Sequence, residues 1–82
     1  MKILKAVANE NRFAILKHLN KDKELSVGDL AEAIDSPFRS VSSDLAVLRK
    51  VELVKLRNYY SSRLYSINKV KFPKELLLLI LS

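Results

Sequence analysis

The side chains best suited to chemistry in this sequence are the basic and hydroxyl groups that lie between residues 36 and 63. Arg39 is followed by Ser40, Ser42 and Ser43, so one guanidinium and three hydroxyl groups fall within five residues. Arg39 can bind guanine through two hydrogen bonds, or it can hold a phosphate without carrying sequence information. Both alternatives indicate a nucleic-acid ligand.

Groups for catalysis or metal binding are scarce. The sequence has no cysteine, which excludes disulfides and thiolate metal sites. Its single histidine, His18, has no second imidazole or thiol with which to share a metal, so we expect a surface or partly buried helix residue. The serine and aspartate residues have no activating neighbour in a recognisable motif, and there is no glycine-rich phosphate loop. We predict that the protein is not an enzyme and binds no cofactor or metal.

The net positive charge comes from one part of the chain. Residues 1–35 hold six basic and six acidic residues, whereas residues 36–82 hold nine basic and three acidic ones, so the net charge of +6 belongs to the second part. Such a confined basic surface is typical of DNA-binding proteins. The plainer explanation is that Lys and Arg solvate exposed faces.

Length and hydropathy limit the class of protein. A chain of 82 residues predicts one domain with a thin core, which favours oligomerisation as a further source of buried surface. The opening residues MKILKAVANENRF are interrupted by charge and do not resemble a signal peptide. The longest apolar run, 76–81, is six residues, against about 20 for a membrane span. We expect a soluble, cytoplasmic protein with no membrane partner.

The first 35 residues predict three helices. Two short helices divide near Asn9, and Asn9 or Asn11 can cap the second of them. Glu24 and Leu25 suit a very short strand, and Ser26 with Asp29 resembles a capping box that starts a helix over 27–34. The apolar faces of the three helices are Ile3, Leu4, Val7 and Ala8, then Phe13, Leu16 and Leu19, and finally Leu30, Ala31 and Ile34.

A fourth helix follows after a tight turn. Ser36 can cap it and Pro37 suits its first position, where backbone N–H groups also favour a phosphate oxygen. Its apolar positions are Phe38, Val41, Leu45 and Leu48. Phe38 fits this core phase, but at the helix start it can instead face a thymine methyl group. We favour an intrahelical basic partner for Asp44 over a hydrogen bond from cytosine.

The rest of the chain predicts a hairpin and a last helix. Two extended runs, 53–58 and 63–67, flank a loop without glycine, which we expect to be longer than two residues, with Asn58 left-handed. The paired Tyr59 and Tyr60 can contact DNA or pack onto the hairpin. Pro73 opens a helix over 74–81 that is apolar nearly all round, which favours a subunit interface over a monomer core.

Helix, tight turn, helix and hairpin together form the layout of a winged helix-turn-helix. The segments LKAVANENRFAILKHL, ELSVGDLAEAI and SVSSDLAVLRKVELVKLR, with RLYSI closing the hairpin, resemble the ArsR/SmtB family of prokaryotic winged-helix repressors. The resemblance covers residues 3–67. It implies a homodimer in which the first and last helices pack across the two-fold axis, a recognition helix over 37–50 and a wing tip over 59–63. It does not imply a metal, because Ser26 and Gly28 replace the thiolates of metal sensors and the last helix has no histidine.

These observations define the expected protein. It is a mainly α, single-domain winged helix-turn-helix over 1–82, with a core over 3–67 and a dimerisation helix over 73–82. Its expected function is sequence-specific binding of double-stranded DNA as a dimeric transcriptional repressor without the metal site; any effector is unknown. The alternative is a protein-interaction module within a larger assembly. The predicted DNA contacts are Ser36, Pro37, Phe38, Arg39, Ser40, Ser42, Ser43, Lys50, Lys55, Arg57, Tyr59, Tyr60 and Arg63. The predicted dimer contacts are Ile3, Leu4, Val7, Leu76, Leu77, Ile80 and Leu81.

Overall fold

Five helices and three short strands follow one another in the computed structural model, which describes residues 2–81. The fold is mainly α with a small antiparallel sheet, in the winged helix-turn-helix arrangement that the sequence predicts. No helix within 2–81 is both long and apolar enough to cross a bilayer. The elements are α1 (Lys2–Val7), α2 (Glu10–Asp22), β1 (Glu24–Ser26), α3 (Val27–Ala33), α4 (Phe38–Lys50), β2 (Val54–Tyr59), β3 (Ser62–Ile67) and α5 (Lys74–Leu81).

Local capping sets the helix starts in the first half of the chain. The extended backbone of Asn9 lets its side chain accept a hydrogen bond from the Arg12 N–H at 3.0 Å, which confirms the division between α1 and α2. The capping box before α3 is also confirmed, with Ser26 and Asp29 each accepting the other's backbone N–H at 3.1 Å. These short-range bonds fix where each helix enters the core.

The start of α4 differs from the prediction by one residue. Pro37 is the cap itself, with an extended ψ of 144°, and helical backbone begins at Phe38. Ser36 does not cap, because its hydroxyl accepts a hydrogen bond from Asn11 Nδ2 at 3.2 Å and its N–H donates to the Ala31 carbonyl. Contrary to the prediction, the Ser36 N–H is therefore not free for a phosphate, and the free donors at this end belong to the residues after Pro37.

The core lies between α2, α3, α4 and the sheet. Val41, Leu45 and Leu48 of α4 are fully buried, as their spacing predicts. Phe38 is not part of this row, since 61% of it is exposed at the first turn of α4, beyond the edge of the core. The other most buried side chains are Ile15, Leu16, Leu19, Leu30, Leu53 and Val54.

The wing is a tighter hairpin than predicted. The sheet order is β1-β3-β2, and pairing of β2 with β3 continues to Tyr59 and Ser62, so Tyr60 and Ser61 form a two-residue turn. The left-handed residue is Tyr60, at a φ of 55°. Asn58 was the predicted left-handed residue, but it is paired with Arg63 within the ladder and is therefore extended.

Helix α5 divides its leucines between two faces. Leu76 and Ile80, one turn apart, are buried where α5 packs on α2, so these two predicted dimer contacts stabilise the protomer core instead. Leu78, Leu79 and Leu81 are each more than half exposed. Of the α5 residues predicted to form the dimer interface, Leu76 and Ile80 are therefore buried within the protomer and Leu81 is exposed.

Both helices of the helix-turn-helix end in left-handed residues other than glycine. Glu52 follows α4 with a φ of 63°, and the N–H groups of Glu52 and Leu53 donate to the Arg49 and Leu48 carbonyls in a Schellman motif. Asp35 ends α3 in the same way, at a φ of 53°. Left-handed backbone is strained for a residue with a Cβ.

Replacing Glu52 with glycine is therefore expected to raise the free energy of unfolding by about 0.5–1 kcal/mol, since the relief of strain exceeds the added freedom of the unfolded chain. Urea titration followed by circular dichroism measures the change. Glu52→Ala is the matched control, because it removes the same charge but keeps the Cβ. Equal stability of the two variants would mean that backbone strain is not the cause.

Candidate nucleic-acid interface

The outer face of α4 carries small polar groups and one arginine. Arg39, Ser40, Ser42 and Ser43 are all exposed in the first half of the helix. Lys50 is exposed too, but it lies eleven residues beyond Arg39, which is about 16 Å along the helix axis. Arg39 and the serines therefore form one site, and Lys50 can only serve a more distant phosphate.

Asp44 does not face this site. Its carboxylate accepts a hydrogen bond from Arg12 Nη1 on α2 at 3.0 Å, and only 15% of its side chain is exposed. The predicted intrahelical partner is wrong, because the cation comes from another helix. The pair removes the one acidic group of α4 from the polar surface.

A groove joins the start of α4 to the wing. Phe38 and Ser42 line one wall, and Ser61, Ser62 and Arg63 line the other. Ser26, Val27 and Gly28, at the start of α3, and Tyr65 complete the lining. The fold thus brings Phe38, Ser42 and Arg63 together, although they come from two elements and span 26 residues.

The wing tip presents an aromatic pair. Tyr60 is 90% exposed and Tyr59 is half exposed, and their rings meet edge to face with centroids 4.6 Å apart. The Arg57 guanidinium lies 5.2 Å from the centre of the Tyr59 ring. Tyr60 therefore does not pack back onto the hairpin.

Arg57 of β2 is held by an acid from β1, the opposite edge strand, across the intervening β3. Its Nη2 donates to Glu24 Oε1 at 2.9 Å and its Nε donates to Glu24 Oε2 at 2.5 Å, so the guanidinium binds the carboxylate with two parallel bonds. DNA contact by Arg57 stays a prediction, since 56% of its side chain is exposed beside this pair. The hydrogen bond from Arg57 lowers the pKa of Glu24 below the ordinary 4.5 and outweighs the opposing effect of desolvation; the charges of Arg57 and Lys55 lower it further. The same bond raises the pKa of Arg57.

This lowered pKa predicts a pH-dependent stability difference between the protein and Glu24→Gln. Folding favours the ionised carboxylate, so its contribution is present above pH 4.5 and is lost as the pH falls through the lowered value. The difference in the free energy of unfolding should be constant near neutral pH and shrink in the acid range. Urea titrations between about pH 3 and pH 7 measure it, with Glu32→Gln as the control for removing an exposed carboxylate. A difference that persists unchanged at the lowest pH would contradict the role of the ionised pair.

Lys55 lies apart from the groove of Phe38 and Arg63. It lines a separate depression at the base of the wing, together with Lys23, Lys69 and apolar side chains that include Leu77. Within residues 2–81, no group of three His, Cys, Asp or Glu side chains is placed to hold a metal, and His18 is a partly buried residue of α2.

Sequence reasoning missed the residues that restrain this surface. Arg12 lies 32 residues before Asp44, and Glu24 lies 33 residues before Arg57. Neither pair has a local spacing that signals contact. The exposure of Leu78 could not be predicted for a different reason. A helix that is apolar nearly all round does not show which of its faces packs against the core.

A small-residue helix face, an adjoining groove and a two-stranded wing on a helix-turn-helix core define a winged helix-turn-helix DNA-binding protein. A family model described as a helix-turn-helix domain matches residues 7–57. The transcriptional activator HlyU of Vibrio cholerae is 40% identical over 77 residues, which are 92% of this chain and 70% of that protein. The chain belongs to the ArsR/SmtB-like family of winged helix-turn-helix transcriptional regulators, as its sequence motifs indicate.

Solved structures agree with this assignment. Reduced HlyU from Vibrio cholerae N16961 is similar with a TM-score of 0.79 and 35% identity, covering 96% of this chain and 78% of that one. The homodimeric winged helix-turn-helix DNA-binding domain of Mb0332 from Mycobacterium bovis has a TM-score of 0.79 and 26% identity, covering 98% and 69%. The protein is therefore a DNA-binding transcriptional regulator.

Proposed function

We propose that this regulator reads a specific inverted repeat in double-stranded DNA as a homodimer, and that it acts by binding rather than by catalysis. The observation that carries the proposal is the groove that brings Phe38, Ser42 and Arg63 together next to the exposed Arg39, while the one acid of α4 is paired with Arg12. A surface of donors without a competing carboxylate suits both phosphates and base edges.

Each part of this surface has a distinct proposed role. The first half of a recognition helix enters the major groove, so Arg39 is positioned to bind guanine and Phe38 to contact a thymine methyl group. Arg63, beside Phe38, holds the phosphate backbone at the edge of the groove. Arg57 instead orients Tyr59, and the exposed Tyr60 reaches furthest from the wing.

Dimerisation is supported by two observations. The domain of Mb0332, which shares this fold, is homodimeric. In this chain, Leu78 and Leu81 of α5 and Leu4 of α1 are large apolar side chains that are each about 60% exposed. Pairing two copies would set two α4 helices about 34–36 Å apart over the two halves of the repeat.

We propose that the dimer represses by occupying its site and blocking initiation. HlyU, a relative of this chain, is a transcriptional activator, so the direction of regulation needs its own test. A reporter with the selected site placed over the promoter distinguishes the two: lower output on expression of the protein supports repression, and higher output refutes it.

Selection of bound duplexes from a random DNA pool at about 150 mM salt tests the reading function. The protein should enrich an inverted repeat, and Arg39→Ala should bind it roughly 10-fold more weakly and lose preference at one position of each half-site. Arg49→Ala is the matched control, because it removes an exposed arginine from the far end of α4 and should keep the motif. Retention without enrichment would refute sequence reading, and no retention would favour the protein-interaction module.

A further inference from the structure

We propose that Arg12 is a positioning residue that joins α1 to the recognition helix α4, so that DNA affinity depends on a contact that does not touch DNA. The inference rests on the proposed function, in which the outer face of α4 reads bases. It assigns Arg12 and Asp44 to a single unit that sets the orientation of that face.

The Arg12 guanidinium bridges two helices from a third. It extends from the first turn of α2 and donates through Nε to the Ala6 carbonyl at 2.5 Å and through Nη2 to the Lys5 carbonyl at 3.5 Å. These carbonyls end α1, where backbone oxygens have no partner within the helix. The remaining nitrogen, Nη1, reaches the Asp44 carboxylate of α4 at 3.0 Å.

The environment strengthens this bridge relative to an ordinary surface pair. Only 19% of the Arg12 side chain and 15% of the Asp44 side chain are exposed, so water and salt screen the charges less. Three donors fixed in one plane can satisfy three acceptors at once, which a lysine ammonium cannot reproduce in the same geometry. A shift of α1 is therefore transmitted to the middle of α4.

Positioning and simple charge effects predict opposite results for Asp44→Asn. If Asp44 acted only through its negative charge near DNA, removing the charge would tighten binding to phosphates. If Asp44 holds α4 in place, removing its carboxylate releases the helix and weakens binding. The sign of the change in affinity therefore separates the two explanations.

The test measures binding to the selected repeat by fluorescence anisotropy over a range of salt concentrations, with the protein, Arg12→Lys, Asp44→Asn and the double variant. Each single variant should weaken binding roughly tenfold, and the double variant no further, because both changes break one unit. The slope of log affinity against log salt should not change, because neither residue contacts phosphate. Asp22→Asn, at the exposed end of α2, is the matched control and should not weaken binding.

Hydrogen exchange of the free protein provides an arm that does not depend on DNA. Amides in the first half of α4 should exchange faster in Asp44→Asn and Arg12→Lys than in the unchanged protein, while those of the wing should not. The inference is overturned if Asp44→Asn binds as tightly as the unchanged protein or tighter, if the salt slope falls, or if the two substitutions add. Failure of the unchanged protein to enrich any repeat would instead refute the proposed function, and the exchange rates would still decide whether Arg12 and Asp44 hold α4 in place.

Discussion

Replacing Leu78 with glutamate is expected to produce a folded monomer that binds the selected repeat at least about 100-fold more weakly than the unchanged protein. Leu78 is 66% exposed on the face of α5 that points away from α2, so its loss costs the protomer little core packing. In the proposed dimer the new carboxylate would be buried without a partner, which strongly disfavours association. Leucine and glutamate are both good helix formers, so α5 itself is retained.

Sedimentation equilibrium measures the oligomeric state, and fluorescence anisotropy measures DNA affinity on the same samples. Val70→Glu is the matched control, because Val70 is 91% exposed in the loop before α5 and the substitution adds the same charge outside the proposed interface. The control should remain dimeric. A Leu78→Glu protein that is still dimeric with full affinity would show that the two copies meet through another surface.

The parts of the fold that were predictable from the sequence are those encoded within a few residues. Asn9 caps α2 and Ser26 with Asp29 caps α3 through bonds that span three residues, so their spacing alone identifies them. The burial of Val41 and Leu45 follows from helical periodicity in the same way. Local bonds thus account for the starts of α2 and α3, and local periodicity accounts for the buried row of α4.

The sequence predictions that were wrong concern positions where the local sequence fits two conformations or two burial states equally well and tertiary packing determines which one is adopted. Phe38 continues the apolar row of α4 in sequence, but the buried row begins one turn later, at Val41, and Phe38 is left exposed. Tyr60 adopts the left-handed conformation at the wing tip because strand pairing extends to Tyr59 and Ser62. Turn propensities of single residues do not include the stability that this additional strand pairing provides. Leucine at four successive positions of α5 hides which face packs on α2.

Charge balance within the candidate site also depends on distant pairs. The sequence assigns all of the net charge to residues 36–82, but Arg12 from the neutral part neutralises Asp44, and Glu24 from that part engages Arg57. The first pair removes the one acid of α4 from its polar surface, whereas the second gives Arg57 of the wing an acidic partner and leaves 56% of its side chain exposed. The strength of the basic surface therefore cannot be predicted from composition alone, because the fold decides which charged residues form these ion pairs.

Leu45→Ala is expected to lower the free energy of unfolding by roughly 2–5 kcal/mol, the cost of lost burial together with the cavity that remains. Leu45 is fully buried on the inner side of α4, which packs against α2, α3 and β2. Small domains are stable by only about 5–15 kcal/mol, so this loss leaves a protein close to its unfolding threshold.

Urea titration at one fixed protein concentration measures the change, since the proposed dimerisation would make stability depend on concentration. Lys50→Ala is the matched control on the same helix, because it shortens an exposed side chain and should change stability by less than about 0.5 kcal/mol. The free energy of DNA binding by the folded fraction should change far less than the free energy of unfolding, because Leu45 lies beneath the reading face rather than on it. A loss of stability below about 1 kcal/mol would mean that the core beneath α4 collapses around the smaller side chain, contrary to close packing at this site.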